Sequence, residues 1–242
     1  MKHRYYSQVN QDKITDFTLS RKTKGVFLDI GAHDGITFSN TYFFEKERGW
    51  TGICIDPNPD VFQKLIANRH CICENCAIAT EEKQMIYRKV KGQYLSEMLG
   101  GILEFMDAEH IERINKEIAN HTECSIEDIP VECKRLDSIL KKYNMNEIDY
   151  LSIDTEGAEY EILQSLDFDK LNIRLMSVEY NKNSQVRNLL VSKGYRYCSV
   201  GFDIFYYKKL TLGIRIRFYI LFLLKIENFL NRISSKIYNK AY

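Results

Sequence analysis

The sequence predicts an α/β fold built on a doubly wound sheet of about seven strands, the last of them antiparallel. Three observations predict it. Short apolar runs of strand character alternate with helix-like stretches along most of the chain. Two of these runs, 26–31 and 52–56, carry Asp29 and Asp56 near their ends, and the first breaks into a glycine turn, Gly31 to Gly35. The final two candidates, 195–200 and 203–208, are separated only by Gly201 and Phe202, a connection short enough to force a hairpin.

The remaining elements follow in order. Strand candidates are 26–31, 52–56, 71–76, 148–154, 173–180, 195–200 and 203–208, with helices at about 38–48, 59–69, 137–144, 157–167 and 184–193. Asp60 follows Pro59 at a helix start, where the helix dipole favours an acid. The 242 residues suit one α/β domain over 1–210, and 45% hydrophobic with 28% charged residues is ordinary for a globular protein. A net charge of +1 gives no electrostatic case for nucleic acid as a partner.

The N-terminal MKHRYYSQVNQDK lacks the apolar core of a signal peptide, so a cytoplasmic setting is expected. The seven cysteines are then expected as reduced thiols. His70, Cys71, Cys73 and Cys76 superficially resemble a metal knuckle, and Cys73 and Cys76 have C-x-x-C spacing. No second pair follows at zinc-ribbon spacing, and Cys71 and Cys73 alternate as one face of a strand would.

Two regions depart from the plain fold. Residues 83–130 are longer than one crossover needs: 83–90 read as an exposed strand, and Gly100-Gly101 precede a charged helix with Ile102, Phe105, Ile111, Ile114 and Ile118 near a 3.6 period. This insertion is expected either to cap a substrate or to form a solvated surface helix. The tail, 211–242, holds six Lys/Arg and one Glu, with seven apolar residues from Phe218 to Leu224. That run is far short of the ~20 residues a membrane span requires, so a basic amphipathic helix on an anionic membrane surface is expected, making the protein peripheral to the inner face. Packing on the domain or on a second subunit competes with that reading, and oligomeric state is not readable.

The chemistry begins at 29–35, a D-x-G-x-x-x-G pattern. A dinucleotide needs G-x-G-x-x-G so that a pyrophosphate fits, but here His33 fills the second glycine slot. Asp29, two residues before Gly31, would repel a pyrophosphate yet can pair with an ammonium. Gly31 allows a sharp turn, Gly35 a close approach to a ligand, and Asp56 is spaced to accept hydrogen bonds from a ribose. Ribose, adenine and ammonium without phosphate describe S-adenosylmethionine.

A second dense stretch runs from Asp149 to Glu161. Asp154 and Glu156 sit at the carboxyl end of a buried strand, where acids can orient a hydroxyl, take its proton or hold a divalent cation. Glu159 and Glu161 read as solvated residues of a first helical turn, and Glu179 ends the next strand, so three acids converge. Asp154 is nominated as base, Glu156 as the group holding a neighbouring hydroxyl, and His33 as the alternative base, since imidazole is the side chain most suited to proton transfer near neutral pH. Mg²⁺ or Mn²⁺ would also suit the acids, but no spacing specifies a metal site.

Together YSQVNQD, FLDIGAHDG, the SNT at Ser39 to Thr41, GWTGICIDPNP, NCAIA, RLDSIL and IDTEGAEYEIL are similar, in order and spacing, to the FkbM-type methyltransferase family over roughly residues 5–209. The resemblance implies the class I, Rossmann-like methyltransferase fold and O-methylation of a hydroxyl, often on a sugar of a surface glycan, glycolipid or natural product. It implies that Asp29, Gly31, His33, Asp34, Gly35 and Asn40 line the donor pocket, with Asn58 beside Asp56, and that Ala77 and Ile78 pass beside the adenine. Asp56 stands where the family commonly has glutamate. Gln8, Gln11 and Asp12 would form a lid, and Asp154 and Glu156 would face the acceptor. Two rival readings, an NAD-dependent oxidoreductase and a non-catalytic membrane-associated binding protein, are disfavoured by His33 in the glycine slot and by the retained acids.

Removing residues 210–242 is expected to release the protein from anionic liposomes in a flotation assay while leaving donor binding intact. Binding by the full chain should weaken as salt rises. A truncation that unfolds the protein or splits a dimer would assign the tail to packing instead.

Overall fold

A computed structural model describes residues 4–92, 96–179, 184–200 and 203–208. The strands are β1 Val26–Ile30, β2 Thr51–Ile55, β3 Ile72–Glu74, β4 Ala77–Ile78, β5 Lys83–Lys91, β6 Gly101–Ile102, β7 Ser125–Lys134, β8 Glu147–Ile153, β9 Asn172–Glu179, β10 Arg196–Val200 and β11 Asp203–Tyr207. The helices are α1 Gln11–Thr18, α2 Tyr42–Arg48, α3 Pro59–Asn68, α4 Ala108–Asn120, α5 Leu136–Lys142, α6 Glu159–Gln164 and α7 Ser184–Ser192.

The main sheet has seven strands in the order β10-β11-β9-β8-β1-β2-β3. β3, β2, β1, β8 and β9 are parallel, and β11 runs antiparallel between β9 and β10. This is the class I methyltransferase arrangement. The central strands are buried on both faces, which is why adjacent residues that point to opposite sides, Phe27 and Leu28 in β1 and Tyr150 and Leu151 in β8, are all apolar. On one face Leu136, Ile139, Ile162, Leu163, Val186 and Leu190 bring α5, α6 and α7 against Leu28, Leu151 and Met176. On the other, Ile14, Phe43, Phe44 and Leu65 bring α1, α2 and α3 against Phe27, Cys54 and Tyr150.

The strand expected at 71–76 divides. β3 ends at Glu74, and β4 crosses to a second, four-stranded sheet ordered β4-β7-β5-β6. β5 and β7 pair antiparallel from Lys83↔Cys133 to Lys91↔Ser125. The expected exposed strand is thus half-buried, with Met85, Tyr87 and Val90 inside, and its partner β7 was not anticipated. The charged helix starts later than the apolar spacing suggests, at Ala108, because Asp107 caps it by accepting from the His110 N–H at 2.7 Å. Ile102 belongs instead to β6.

Three further expectations change. The helix expected from residue 38 starts at Tyr42, after a turn in which Phe38 has φ 52°. α1 was not anticipated. Cys73 packs on the Phe27 face of the main sheet and Cys76 on the opposite face, so their C-x-x-C spacing brings no thiols together. None of the seven cysteines is joined in a disulfide. The turn at Gly201-Phe202 and the tail at 211–242 lie outside the described residues. Among the described residues no helix is long and apolar enough to cross a membrane.

An aromatic joint ties α2 to the sheet. Phe44 is fully buried, with its ring centroid 4.5 Å from Trp50, 5.3 Å from Phe43 and 5.7 Å from Tyr150. Phe44→Ala should cost about 3–5 kcal/mol, the usual range for emptying a buried aromatic site, as measured by urea denaturation. A loss under about 1 kcal/mol would mean that α2 collapses onto the gap.

Candidate active site

A cavity of about 330 Å³ opens at the carboxyl ends of β1, β2, β8 and β9. It is roofed by Tyr87, Gly101 and Ile102 of the second sheet and by Gln8 and Gln11 of the N-terminal segment. Of the residues singled out by sequence, Asp29, Gly31, His33, Asn40, Asp56, Asn58, Ala77 and Ile78 line it, together with Asp154, Glu156, Glu179, Gln8 and Gln11. Asp34, Gly35 and Asp12 do not.

The turn after β1 is strapped to the end of β2. Gly31 and Ala32 donate their N–H groups to Ile55 O at 3.0 and 3.1 Å, and His33 N–H donates to Asp56 Oδ2 at 2.8 Å. Gly31 has φ 85°, and a Cβ there would lie 1.7 Å from Asp154 O, so no other residue fits. Asp56 is buried and its other oxygen accepts from Asn58 N–H at 2.9 Å. Burial pushes its carboxyl up to about 6, against the pull of those two N–H groups. Asn58 also caps α3, accepting from Asp60 N–H at 3.1 Å. His33 is half-buried with φ 49°, and its Nδ1 lies 3.8 Å from Asp34 Oδ1.

Asp29 is buried and accepts from Thr41 Oγ1 at 2.6 Å; burial raises its carboxyl in spite of the nearby Arg69. Asn40 donates through Nδ2 to Ser152 Oγ at 3.0 Å, while its Oδ1 is buried with no hydrogen-bond donor. Such an acceptor is costly unless a ligand supplies the donor.

The excluded residues build the frame. Asp34 folds onto its own turn, accepting from Ile36 N–H, Thr37 N–H and Thr37 Oγ1 at 2.9, 2.7 and 2.7 Å. Burial opposes ionisation, but hydrogen bonds from His33 and from these N–H groups hold its carboxyl well below the usual range. Gly35 makes room for protein rather than ligand: a Cβ would lie 2.7 Å from both Arg69 Cγ and Leu65 Cδ1. Asp12 is fully buried and gathers the N-terminal segment, accepting from Tyr6 N–H at 2.5 Å and Ser7 Oγ at 2.6 Å.

The acids meet on the other side of the cavity. Asp154 N–H donates to Ile30 O at 3.0 Å, fixing this carboxylate beside the first turn. The surrounding protein, then the charges of Glu156, Asp203, Glu159 and Asp29, push its carboxyl up to about 8. Asp154 is itself exposed where it lines the cavity. Burial and the neighbouring acids, Asp154 first, raise Glu179 to about 10. Asp203, opposite Glu179 in the sheet, accepts from Gln11 Nε2 at 2.5 Å and is raised by burial to about 6.

Glu159 departs from expectation. It is fully buried rather than solvated, and one oxygen accepts from Thr155 N–H, Thr155 Oγ1 and Gly157 N–H at 3.2, 2.9 and 3.1 Å. It sets the loop that carries Glu156. Sequence reasoning also missed His110, Arg113 and Arg69. His110 donates through Nε2 to Leu99 O at 2.9 Å and holds Nδ1 3.1 Å from Glu156 Oε2, a pair of contacts that suits an imidazolium donating from both nitrogens. Burial opposes that charge, but the hydrogen bond and charge of Glu156 raise the imidazole above its ordinary range. Arg113 Nη1 stands 3.5 Å from the same carboxylate. Nothing in the spacing of α4 marks His110, because its partner lies in another element. Among the described residues no group of three or more His, Cys, Asp or Glu side chains is placed to hold a metal ion.

The sign of the pH dependence follows from these shifts. Asp154 and Glu179 have folded values near 8 and 10 against ordinary values of 3.8 and 4.5, so the folded protein binds more protons than the unfolded chain between them. Their contribution is complete below the unfolded values and is lost as pH rises through the folded ones. The melting temperature of the ligand-free protein should therefore fall from about pH 6 to pH 10, and Asp154→Asn or Glu179→Gln should flatten that fall. Parallel profiles for wild type and both variants would contradict the cluster's electrostatics.

The methyltransferase FkbM domain family matches residues 29–197. No curated protein matches the chain. Among solved structures, the chain is similar to a precorrin-6y C5,15-methyltransferase from Geobacter metallireducens GS-15, at 10% identity over 81% of this chain and 84% of that one, with a TM-score of 0.40. It is also similar to a methyltransferase from Pyrococcus furiosus, at 12% identity over 86% and 88%, with a TM-score of 0.36. The chain belongs to the FkbM methyltransferase family, and that membership implies S-adenosylmethionine as its methyl donor.

Proposed function

We propose that the protein is an S-adenosylmethionine-dependent O-methyltransferase acting on a hydroxyl of a sugar, in a surface glycan, a glycolipid or a natural product. The observation that carries this reading is one cavity with two unlike halves. On the first side, Asp29 and the orphaned Asn40 Oδ1 are buried acceptors suited to an ammonium. Asp56 and Asn58 suit ribose hydroxyls, and Ala77 and Ile78 offer the apolar wall that an adenine needs. The residues present therefore fit the donor, which when bound supplies a methyl group on a positively charged sulfur with a neutral leaving group.

The chain's own work is alignment, exclusion of water and proton removal. A sugar hydroxyl is a poor nucleophile at neutral pH, and Asp154, raised to about 8, is in its ionised fraction a stronger base than an ordinary carboxylate and suited to accept its proton as the oxygen attacks. Glu156, held by His110, is suited to accept a hydrogen bond from a neighbouring hydroxyl. Glu179, protonated at neutral pH, is suited to donate one. Gln11, tied to Asp203, and Tyr87 close the cavity to bulk water. A sugar supplies vicinal hydroxyls at the spacing such a set of carboxyls can use. His33 lines the same cavity and is the alternative base.

Asp154→Asn should retain donor affinity by calorimetry yet lose about 10²- to 10⁴-fold in turnover, measured as release of S-adenosylhomocysteine with sugar acceptors. Full turnover in that variant, alongside loss in His33→Ala, would move the base to His33. Asn40→Ala and Asp29→Asn should instead weaken donor binding, and undiminished affinity in both would refute the pocket assignment.

A further inference from the structure

We infer that Cys71 is an oxidant-reactive thiol, that Cys54 resolves it into a disulfide, and that closing this disulfide weakens methyl-donor binding through Arg69. Three cysteines gather on one face of the main sheet. Cys54 of β2 stands opposite Cys73 of β3 in parallel register, and Cys71 precedes β3 on the same side. The Sγ atoms of Cys54 and Cys71 are 3.6 Å apart, so a bond of about 2.05 Å is within reach of a side-chain rotation.

The two thiols differ in access. Cys54 is fully buried, whereas Cys71 is partly exposed, so an oxidant meets Cys71 before Cys54, and the Cys71 sulfur is the one in contact with Cys54. Arg69 supplies the local positive charge that favours a thiolate. Its side chain is fully buried and donates to Glu45 Oε2 at 2.8 Å, to Gly35 O at 3.1 Å and to Thr41 Oγ1 at 3.1 Å. Hydrogen bonds from Cys54 and Cys73, then the charge of Arg69, hold the Cys71 thiol below the usual range, while burial pushes Cys54 up. The proposed methyl transfer uses none of the three thiols.

The chemistry balances with hydrogen peroxide as oxidant. The Cys71 thiolate attacks one peroxide oxygen; an S–O bond forms, the O–O bond breaks and hydroxide leaves. Cys54 then attacks the Cys71 sulfur; the S–S bond forms, the S–O bond breaks, and the departing hydroxide takes the Cys54 proton as water. The thiols lose two electrons and the peroxide gains them.

Arg69 connects this pair to the cavity. It holds the turn at Gly35 and the Thr41 hydroxyl, which in turn donates to Asp29. Drawing Cys71 toward Cys54 consumes the thiolate and pulls the chain two residues from Arg69, loosening the support of Asp29. This last step rests on the donor pocket proposed above.

The test treats the full-length protein with a few equivalents of hydrogen peroxide, blocks remaining thiols by alkylation and maps the peptides. A Cys54–Cys71 disulfide is expected, absent in Cys71→Ser, with a dimedone-reactive sulfenic acid on Cys71 in Cys54→Ser. Calorimetry with S-adenosylmethionine should show affinity falling about tenfold on oxidation, within the usual range of coupling between sites, and returning with dithiothreitol. Alkylatable Cys71 after treatment, or a disulfide to Cys73 instead, overturns the thiol assignment. A mapped Cys54–Cys71 disulfide with unchanged affinity overturns the coupling. If the reduced protein does not bind S-adenosylmethionine at all, the donor reading fails, and the peptide map still decides the thiol pair.

Discussion

The rest of the site depends on the contact between Gly31 and the carbonyl oxygen of Asp154. A single Cβ at Gly31 would lie 1.7 Å from that oxygen, so the turn leaving β1 and the end of β8 touch through bare backbone. The same junction is tied by Asp154 N–H to Ile30 O and by Gly31 N–H to Ile55 O, both at 3.0 Å. Three strand ends are thereby fixed against one another, and with them Asp29, Asp56 and Asp154. Under the proposed function such a rigid seam matters, because a misplacement of about 1 Å is enough to spoil the alignment of reacting groups.

Charge is distributed unevenly around this seam, and the unevenness separates the roles of chemically identical side chains. Asp34 is wrapped in N–H groups and stays ionised as a structural carboxylate. Asp29 has Thr41 and the neighbouring Arg69. Glu156 has His110 and Arg113. Asp154 and Glu179 are instead raised by protein packed around them and by other acids, with no cation among the main causes. Groups left in that state take up protons readily, which suits them to proton traffic and makes the acid cluster a destabilising feature at high pH.

The second sheet turns an insertion into a roof. β5 and β7 supply its rigidity, Tyr87 and Ile102 its inner surface, and α4 the His110 that reaches Glu156. The acid-lined side of the cavity is thus shared between the main sheet and a separate layer with its own small core around Met85, Val131 and Cys133. The N-terminal segment closes the remaining side through Gln11, whose amide meets Asp203.

The sequence by itself determined the sheet, because strands buried on both faces are written as continuous apolar runs and their ends as acids and glycines. Asp29, Gly31, Asp56, Asp154 and Glu179 were legible for that reason: their neighbours in sequence announce their place on a strand tip. β7 was not legible, since SIEDIPVECK mixes polar residues with Pro130 and finds its pattern only against β5. Glu159 looked like a solvated first-turn acid, yet the tertiary structure buries it beneath Thr155 and Gly157. Gly35 looked like room for a ligand and proved to be room for Arg69 and Leu65. Cys73 and Cys76 share a C-x-x-C spacing but face opposite sides of the sheet, whereas the sulfurs that approach each other, those of Cys54 and Cys71, are 17 residues apart in the chain. His110 and Asp203 carried no signal because each meets its partner across elements distant in the chain. Local periodicity records which face of an element is buried; which side chains meet in the space between elements is decided only when the layers pack.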